Sequence, residues 1–477
     1  MVTFIVPRNL GPTMFGVFDF ITDFFNNVLN FLQLATQNAF YTKLSKNQKD
    51  NKLIIFYTKF VVFTIFVLLA LTILIYIFSL ESHVWPYINK KYVLYGLFYS
   101  TLTILIANIK LINDSIGITN QSERIIIYQK LFSIFLILIL SFFSLINLEN
   151  FFFYHFIIML FLLFFWIKIL DDYGIRFFGI KISLKEFNAY KKRFYNFSGP
   201  LFIYSLVALV CDVGDRWILQ VYGGSIEQGY FGFALRIASI CFIFTSAMTP
   251  LILREFSVEF KNKNLINIAN LFKKNIPLLY FVGAYFCLFF SFNYIYIIEL
   301  IGGDDFMLGK TAFVLMTFYP IQQTYGQLSN SLFYATNQTK LYRNIAVFTS
   351  LIGLLTTFIL IGPKYLGGLN LGSTGLAIKK LLIQFIGVSL ALYFNLKYLK
   401  LSLIKFFGHK ILVVVLLSLF SFISSQSMSL IFENKTLVFI FSGVTYTFFV
   451  LCLIYFYPRI IVRSKKELKL FLNSLIK

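Results

Sequence analysis

The amino-acid sequence predicts an all-α, polytopic membrane protein, and three observations carry that reading. Of 477 residues, 58% are apolar, 62 are phenylalanine and only 13% are charged, against about a quarter charged in a soluble domain. A mean hydropathy of +0.79 over this length exceeds what one globular core can bury, so the excess must face lipid. The apolar residues also fall in long runs of mixed Leu, Ile and Phe rather than in short alternating stretches, which favours helices over transmembrane strands. These features exclude a soluble enzyme, a secreted disulfide scaffold and a disordered chain.

Read in order, the runs give 13 full spans: 14–41, 53–78, 84–109, 125–147, 151–170, 196–220, 229–253, 275–300, 306–333, 342–362, 373–396, 410–431 and 437–458. Residues 1–7 are apolar but too short to cross, and no cleavable signal peptide is visible. The basic residues set the topology. With the 42–52 loop and every second loop after it in the cytoplasm, 32 of the 42 Lys and Arg residues lie on that side or its flanks. Five lie opposite (Arg8, Lys90, Lys91, Lys364, Lys435) and five within or at the edges of spans. This asymmetry is the positive-inside pattern and puts the C-terminus in the cytoplasm. The net charge of +22 is then a topology signal with attraction to anionic lipid, and nucleic acid is not an expected partner. Lys185–Arg193 reads as an interfacial helix. External loops are too short to host a catalytic domain, so no enzyme is expected.

Cys211, Cys241, Cys287 and Cys452 sit in apolar runs and read as small core residues. His83, His155 and His409 are far apart and form no local metal motif. No Walker loop is present, and no cofactor is expected.

Two stretches repeat at an offset of 213 residues. Gly16-Val17-Phe18-Asp19-Phe20 continues to Asp23, and Gly229-Tyr230-Phe231-Gly232-Phe233 continues to Arg236. Each follows a glycine-containing turn, Leu10-Gly11-Pro12 and Tyr222-Gly223-Gly224. Six spans separate them, an even number, so the halves are parallel repeats with a substrate site expected between them.

Ionisable groups at membrane depth cost about 2.5–3.5 kcal/mol each on insertion scales and face a bundle interior or a watery cavity. Asp19 and Asp23 share one helix face, and Asp212, Asp215 and Arg216 share another. Arg236 lies two turns into the following span. Two readings of these groups stand side by side. In one they pair and pin the lobes; in the other they line the cleft, with Arg8, Arg216 and Arg236 attracting a diphosphate through the planar guanidinium fork. Asp19 or Asp23 could instead carry a proton or sodium ion. Lys310, Lys379 and Lys380 read as interfacial residues that snorkel.

Pro7-Arg8-Asn9-Leu10-Gly11-Pro12 followed by Phe15-Gly16 resembles the turn after the first helix of polysaccharide exporters. Asp215-Arg216-Trp217-Ile218-Leu219, Gly229-Tyr230-Phe231-Gly232 and Thr249-Pro250 are similar to their seventh and eighth helices. Gly367-Gly368, Gly372 and Gly375 match their glycine-rich turn before helix twelve. Taken together, the chain resembles the O-antigen and capsule repeat-unit flippases of the MATE-like superfamily over essentially its whole length.

The resemblance implies a MATE-like two-lobe bundle on a 14-helix plan. Residues 1–7 would be the outer end of a first helix whose beginning lies upstream or has been lost. The implied layout is an N-terminal lobe over 1–170, a cytoplasmic linker over 171–195 and a C-terminal lobe over 196–396. Accessory helices follow over 410–458, and then a basic tail over 459–477. The implied function is translocation of an undecaprenyl-diphosphate-linked oligosaccharide across the bacterial inner membrane. Membrane lipids, and polymerase and chain-length proteins of the same pathway, would be partners. The alternatives are a cation-coupled multidrug exporter of the same superfamily and, in another class, an O-antigen polymerase or membrane glycosyltransferase.

Overall fold

The structure is a computed structural model that describes residues 2–33, 36–48, 50–175, 182–199 and 202–461. The described residues are helical, without strands. Nine of their helices are long and apolar enough to cross a membrane, and a bent pair, Ser205–Ile240 with Ile243–Lys261, adds a further broken span. This is a multi-pass membrane protein. The chain divides into two compact units, Met1–Gly229 and Tyr230–Lys477.

The first unit contains α1 (Val2–Leu32), α2 (Thr36–Lys46), α3 (Asn51–Ile77), the single turn α4 (Glu81–Val84), α5 (Lys90–Ile116), α6 (Thr119–Phe142), α7 (Leu148–Asp172), α8 (Leu184–Ser198) and the first arm of α9 (Phe202–Ile240). Helix starts are capped where the sequence offers a short polar side chain. Asp50, Asn89 and Asn147 accept from backbone N–H groups of α3, α5 and α7. Ser183 and Glu186 form a reciprocal capping box at the start of α8. α3 shows how one span faces two environments. Tyr57, Val61, Thr64, Ile65, Leu68 and Thr72 are buried at helical spacing, while Phe63, Phe66, Ile73 and Ile77 are exposed. That exposed apolar side is what a lipid-facing helix presents. α1 packs on α5, α5 on α7, and α8 against α2 and α3.

The second unit follows with α10 (Ile243–Lys261), α11 (Leu265–Phe292), α12 (Tyr294–Ile301), α13 (Lys310–Ala335), α14 (Thr339–Ile361), α15 (Gly372–Tyr398), α16 (Leu403–Ile431) and α17 (Lys435–Phe456). α13 is its centre, packed against α10, α11 and α15. It is too polar to pass as a span by hydropathy, carrying Gln322, Gln323, Thr324, Gln327 and Ser329. α16 and α17 meet where the Ser442 hydroxyl donates to the Ser424 carbonyl at 3.4 Å, while Ser421 and Tyr446 donate to the Leu288 and Tyr285 carbonyls of α11. Small residues at such an interface let two backbones approach closely in lipid.

The spans match these helices with several differences. The 229–253 run is broken between Ile240 and Ile243, where α9 and α10 meet at 56°, and the 306–333 run, α13, is less apolar than the nine crossing helices. The 14–41 run is two helices, α1 ending at Leu32 and α2 beginning at Thr36. The 84–109 run starts late, at Lys90, because Pro86 interrupts it and Asn89 supplies the cap; Trp85 instead tucks in against Phe24, Phe25 and Tyr76. The 275–300 run breaks at Asn293. The interfacial helix over Lys185–Arg193 is α8, and most of the expected basic tail lies outside the described residues.

Candidate functional site: a buried charge cluster beside a repeated glycine turn

The two glycine turns have the same backbone. Gly11 lies at φ 67°, ψ 170° inside α1, and Gly224 at φ 71°, ψ −173° inside α9. These conformations are open to glycine and strained for other residues. Their numbers differ by the same 213 that relates the sequence repeats. At Gly224 the chain turns back on itself. Arg216 and Gln228, which twelve residues of straight helix would hold about 18 Å apart, are hydrogen-bonded side chain to side chain at 2.9 Å.

Beyond each turn the repeats touch reciprocally. A Cβ on Gly16 would come within 1.8 Å of the Ser225 carbonyl oxygen, and a Cβ on Gly229 within 2.0 Å of the Pro12 carbonyl oxygen. Pro12 and Ser225 are themselves repeat equivalents, so the contact has an approximate two-fold symmetry. It brings α1 and α9 together at backbone distance, which sets the neighbouring side chains face to face.

The charge cluster is built on that approach. Arg216 on α9 is 7% exposed and Asp19 on α1 is 8% exposed, so this pair is withdrawn from solvent. Arg216 Nη2 donates to Asp19 Oδ2 at 2.8 Å. Arg216 Nε lies 3.4 Å from Asp23 Oδ2, and Arg216 Nη1 donates to Gln228 Oε1 at 2.9 Å. Gln228 Nε2 returns a hydrogen bond to the Arg216 carbonyl at 2.5 Å, and Asn27 donates to Asp23 at 3.2 Å. Asp215 is fully buried next in the chain. The guanidinium therefore meets two carboxylates and an amide at once, the arrangement that offsets the cost of burying a charge.

Trp217, next in the chain after Arg216, donates to the His83 carbonyl at 2.7 Å, and Gln220, one helical turn on, donates to the Pro86 carbonyl at 3.0 Å. The cluster thus sits at the end of the unit where α3 connects to α5.

Among the sequence-predicted residues, the structure brings Asp19, Asp23, Asp215 and Arg216 together. Asp212 is exposed one turn before Asp215, and Arg8 is exposed on the short arm before Gly11. Arg236 is half-buried and belongs to the second unit. Gln228 was not singled out, although a polar residue directly before Gly229 of the repeat was the available signal.

In the second unit, two lysines depart from expectation. Lys379 does not snorkel to an interface: it is 5% exposed and packs over Gly353 of α14, where only a missing side chain leaves room for it. Lys410, counted from sequence as a loop flank, is buried over the Tyr325 ring, 3.9 Å from its centroid, and 3.4 Å from Gln322 Oε1.

The same unit contains an apolar groove of about 990 Å³ between α10, α11 and α17, lined by residues including Phe244, Phe286, Phe289, Val444 and Phe448.

No family model and no curated protein matches the chain. Solved structures do. The inward closed conformation of the lipid II flippase MurJ aligns with a TM-score of 0.58 and 17% identity, covering 92% of this chain and 97% of that one. An inward-facing multidrug resistance MATE family transporter of the MOP superfamily aligns with a TM-score of 0.54 and 13% identity, covering 83% and 97%. At these identities the likeness is one of architecture: the chain has the helical fold that MurJ and MATE transporters share.

Proposed function

We propose that the protein is a flippase that moves a polyprenyl-diphosphate-linked oligosaccharide across the bacterial inner membrane for surface polysaccharide assembly. The observation that carries this reading is the buried Asp19–Arg216–Asp23 cluster, in a fold shared with a lipid II flippase. A guanidinium suits a diphosphate because it can donate to two oxygens in one plane.

In the arrangement described, Nε, Nη1 and Nη2 of Arg216 are already engaged. Pairing and substrate binding are therefore two states of one group, and a diphosphate must displace Asp19, Asp23 or Gln228 to reach it. Protonation of either aspartate would weaken its hold on the guanidinium, which gives a route for a proton to favour binding. No covalent bond changes, so the protein lowers a transfer barrier only.

The test is a deletion strain carrying the wild-type gene, an Arg216→Ala variant or an empty vector, with lipid-linked repeat units quantified on each side of the inner membrane. We expect precursor trapped on the cytoplasmic face without the gene and with Arg216→Ala, and surface glycan restored by the wild type. Normal export by a correctly inserted Arg216→Ala protein would remove the cluster from substrate handling. Normal glycan in all three strains would favour the second reading, a cation-coupled exporter, which the MATE-like architecture and the Asp19/Asp23 pair also support.

A further inference from the structure

At the other end of the first unit, α2, α3, α8 and the start of α9 enclose a cavity of about 560 Å³. Its walls are aromatic: Phe56, Tyr57 and Phe60 come from α3, Phe194 and Tyr195 from α8, and Phe202 from α9. Tyr57 and Phe194 are stacked with centroids 5.8 Å apart, and Phe56 lies 5.6 Å from Phe194. Thr36 and Tyr57 satisfy each other's hydroxyls at 3.2 Å, so this wall presents little unpaired polarity. The cavity is separate from the charge cluster. It lies at the first turns of α3, whereas the cluster lies beside the connection after its last turn, about 30 Å along the helix.

The rim is cationic. Lys191 lines the cavity; Lys192 and Arg193, its exposed neighbours in sequence rather than lining residues, add positive charge to α8. Lys43 of α2 places its ammonium over the Phe194 ring, 4.5 Å from the centroid. That ammonium is buried and has no hydrogen-bond acceptor among the described residues. Burial and the nearby Arg193 both lower its pKa, so an anion arriving there would relieve a real penalty. The acids of this region are already engaged: Glu186 pairs with Lys52 at 2.6 Å, and Asp50 accepts from Tyr190 and caps α3. The side of the membrane on which this rim lies is the one that the Lys and Arg distribution assigns to the cytoplasm.

We infer that this cavity is a binding site for one anionic phospholipid, one acyl chain between the aromatic walls and its phosphate at Lys191 on the rim, with the buried Lys43 ammonium over Phe194 adding to the positive field there. The volume lies within the range of about 300–1,000 Å³ usual for small-molecule sites. An apolar interior with a lysine rim is complementary to an anionic amphiphile and not to a free anion or a neutral chain. The lipid would add to the contacts that already hold α8 on α2 and α3, the Lys52–Glu186 and Tyr190–Asp50 pairs and the Phe194 ring against Phe56, Tyr57 and Lys43.

Native mass spectrometry of the purified full chain, with phosphatidylglycerol or phosphatidylcholine of identical acyl chains, tests the site. We expect one retained phosphatidylglycerol per chain in preference to phosphatidylcholine. Lys43→Gln or Lys191→Gln should each weaken that preference about fivefold. Gly199 has helical φ and ψ, and its nearest neighbour to an added Cβ is Tyr195 at 4.0 Å. Gly199→Leu should therefore fit the backbone, fill the cavity and lose both lipids. Equal retention of the two lipids, wild-type retention by Gly199→Leu, or displacement of phosphatidylglycerol by equimolar polyprenyl phosphate would each overturn the proposal. If Lys43→Gln does not yield folded protein, the exposed Lys191→Gln decides the charge requirement alone.

Discussion

The two units bury a cation in opposite ways. In the first, Arg216 is held by Asp19, Asp23 and Gln228 through directional hydrogen bonds. In the second, Lys410 rests on the face of Tyr325 with one amide oxygen, and no carboxylate pairs with it among the described residues. The first arrangement is specific, because each contact fixes one named partner in place. The second draws on ring faces and on the apolar lysine stem, neither of which is left charged when the cation goes.

The sharpest test of that contrast is a pair of substitutions. Arg216→Met removes a buried guanidinium that pairs with Asp19 and Asp23 and should cost about 3–5 kcal/mol, read as a large fall in melting temperature in detergent. Lys410→Met should change stability by less than about 1 kcal/mol or raise it, since a buried charge is exchanged for a similar apolar volume. Equal losses in the two variants would abolish the distinction.

A smaller effect probes what brings the Arg216 partners together. Gly16→Ala places a methyl against the Ser225 carbonyl, where the backbone must move, and we expect a loss of about 1–3 kcal/mol. Gly408→Ala, with nothing within 4 Å, serves as the control and should be near neutral. Comparable melting temperatures for the two would show that the close approach of α1 and α9 is not needed.

The smallest effect lies at the surface. Hydrogen bonds from Lys52 and from Ser183 hold the Glu186 carboxyl down to about 2. Because its folded value is depressed, its contribution is complete above the unfolded carboxylate range near pH 4 and is lost as pH falls towards 2. Protease sensitivity of α8 should therefore rise across that window in the wild type. Glu186→Gln should be sensitive already at pH 5 and show no further step.

Much of this architecture was legible in the sequence, because a helix of more than twenty apolar residues announces itself locally. The repeat was legible for a similar reason: Gly11 and Gly224 lie in short motifs whose spacing needs no knowledge of contacts. Asp19, Asp23, Asp215 and Arg216 were visible as costly charges. Pairing was one of the two readings left open; which acid meets which arginine was not legible, because the contact joins residues 197 apart through turns whose direction depends on glycine dihedrals. Lys410 escaped for a different reason. A long flexible stem near a helix start reads as reaching for water, and only the position of Tyr325 on a distant helix shows that it turns inward. Trp85 falls at the edge of the apolar 84–109 run, and its tucked position depends on Phe24, Phe25 and Tyr76.

The reciprocal contact of Gly16 with Ser225, and of Gly229 with Pro12, has a consequence for ancestry. Each repeat presents the same patch to the other, which is the geometry of an isologous interface between two identical subunits. A chain of one repeat would meet a second copy of itself through this patch, with one glycine per subunit serving both sides. Fusion of two such chains would free the duplicates to diverge. On that reading Asp23 and Arg236, 213 residues apart, are equivalent positions that carry opposite charge.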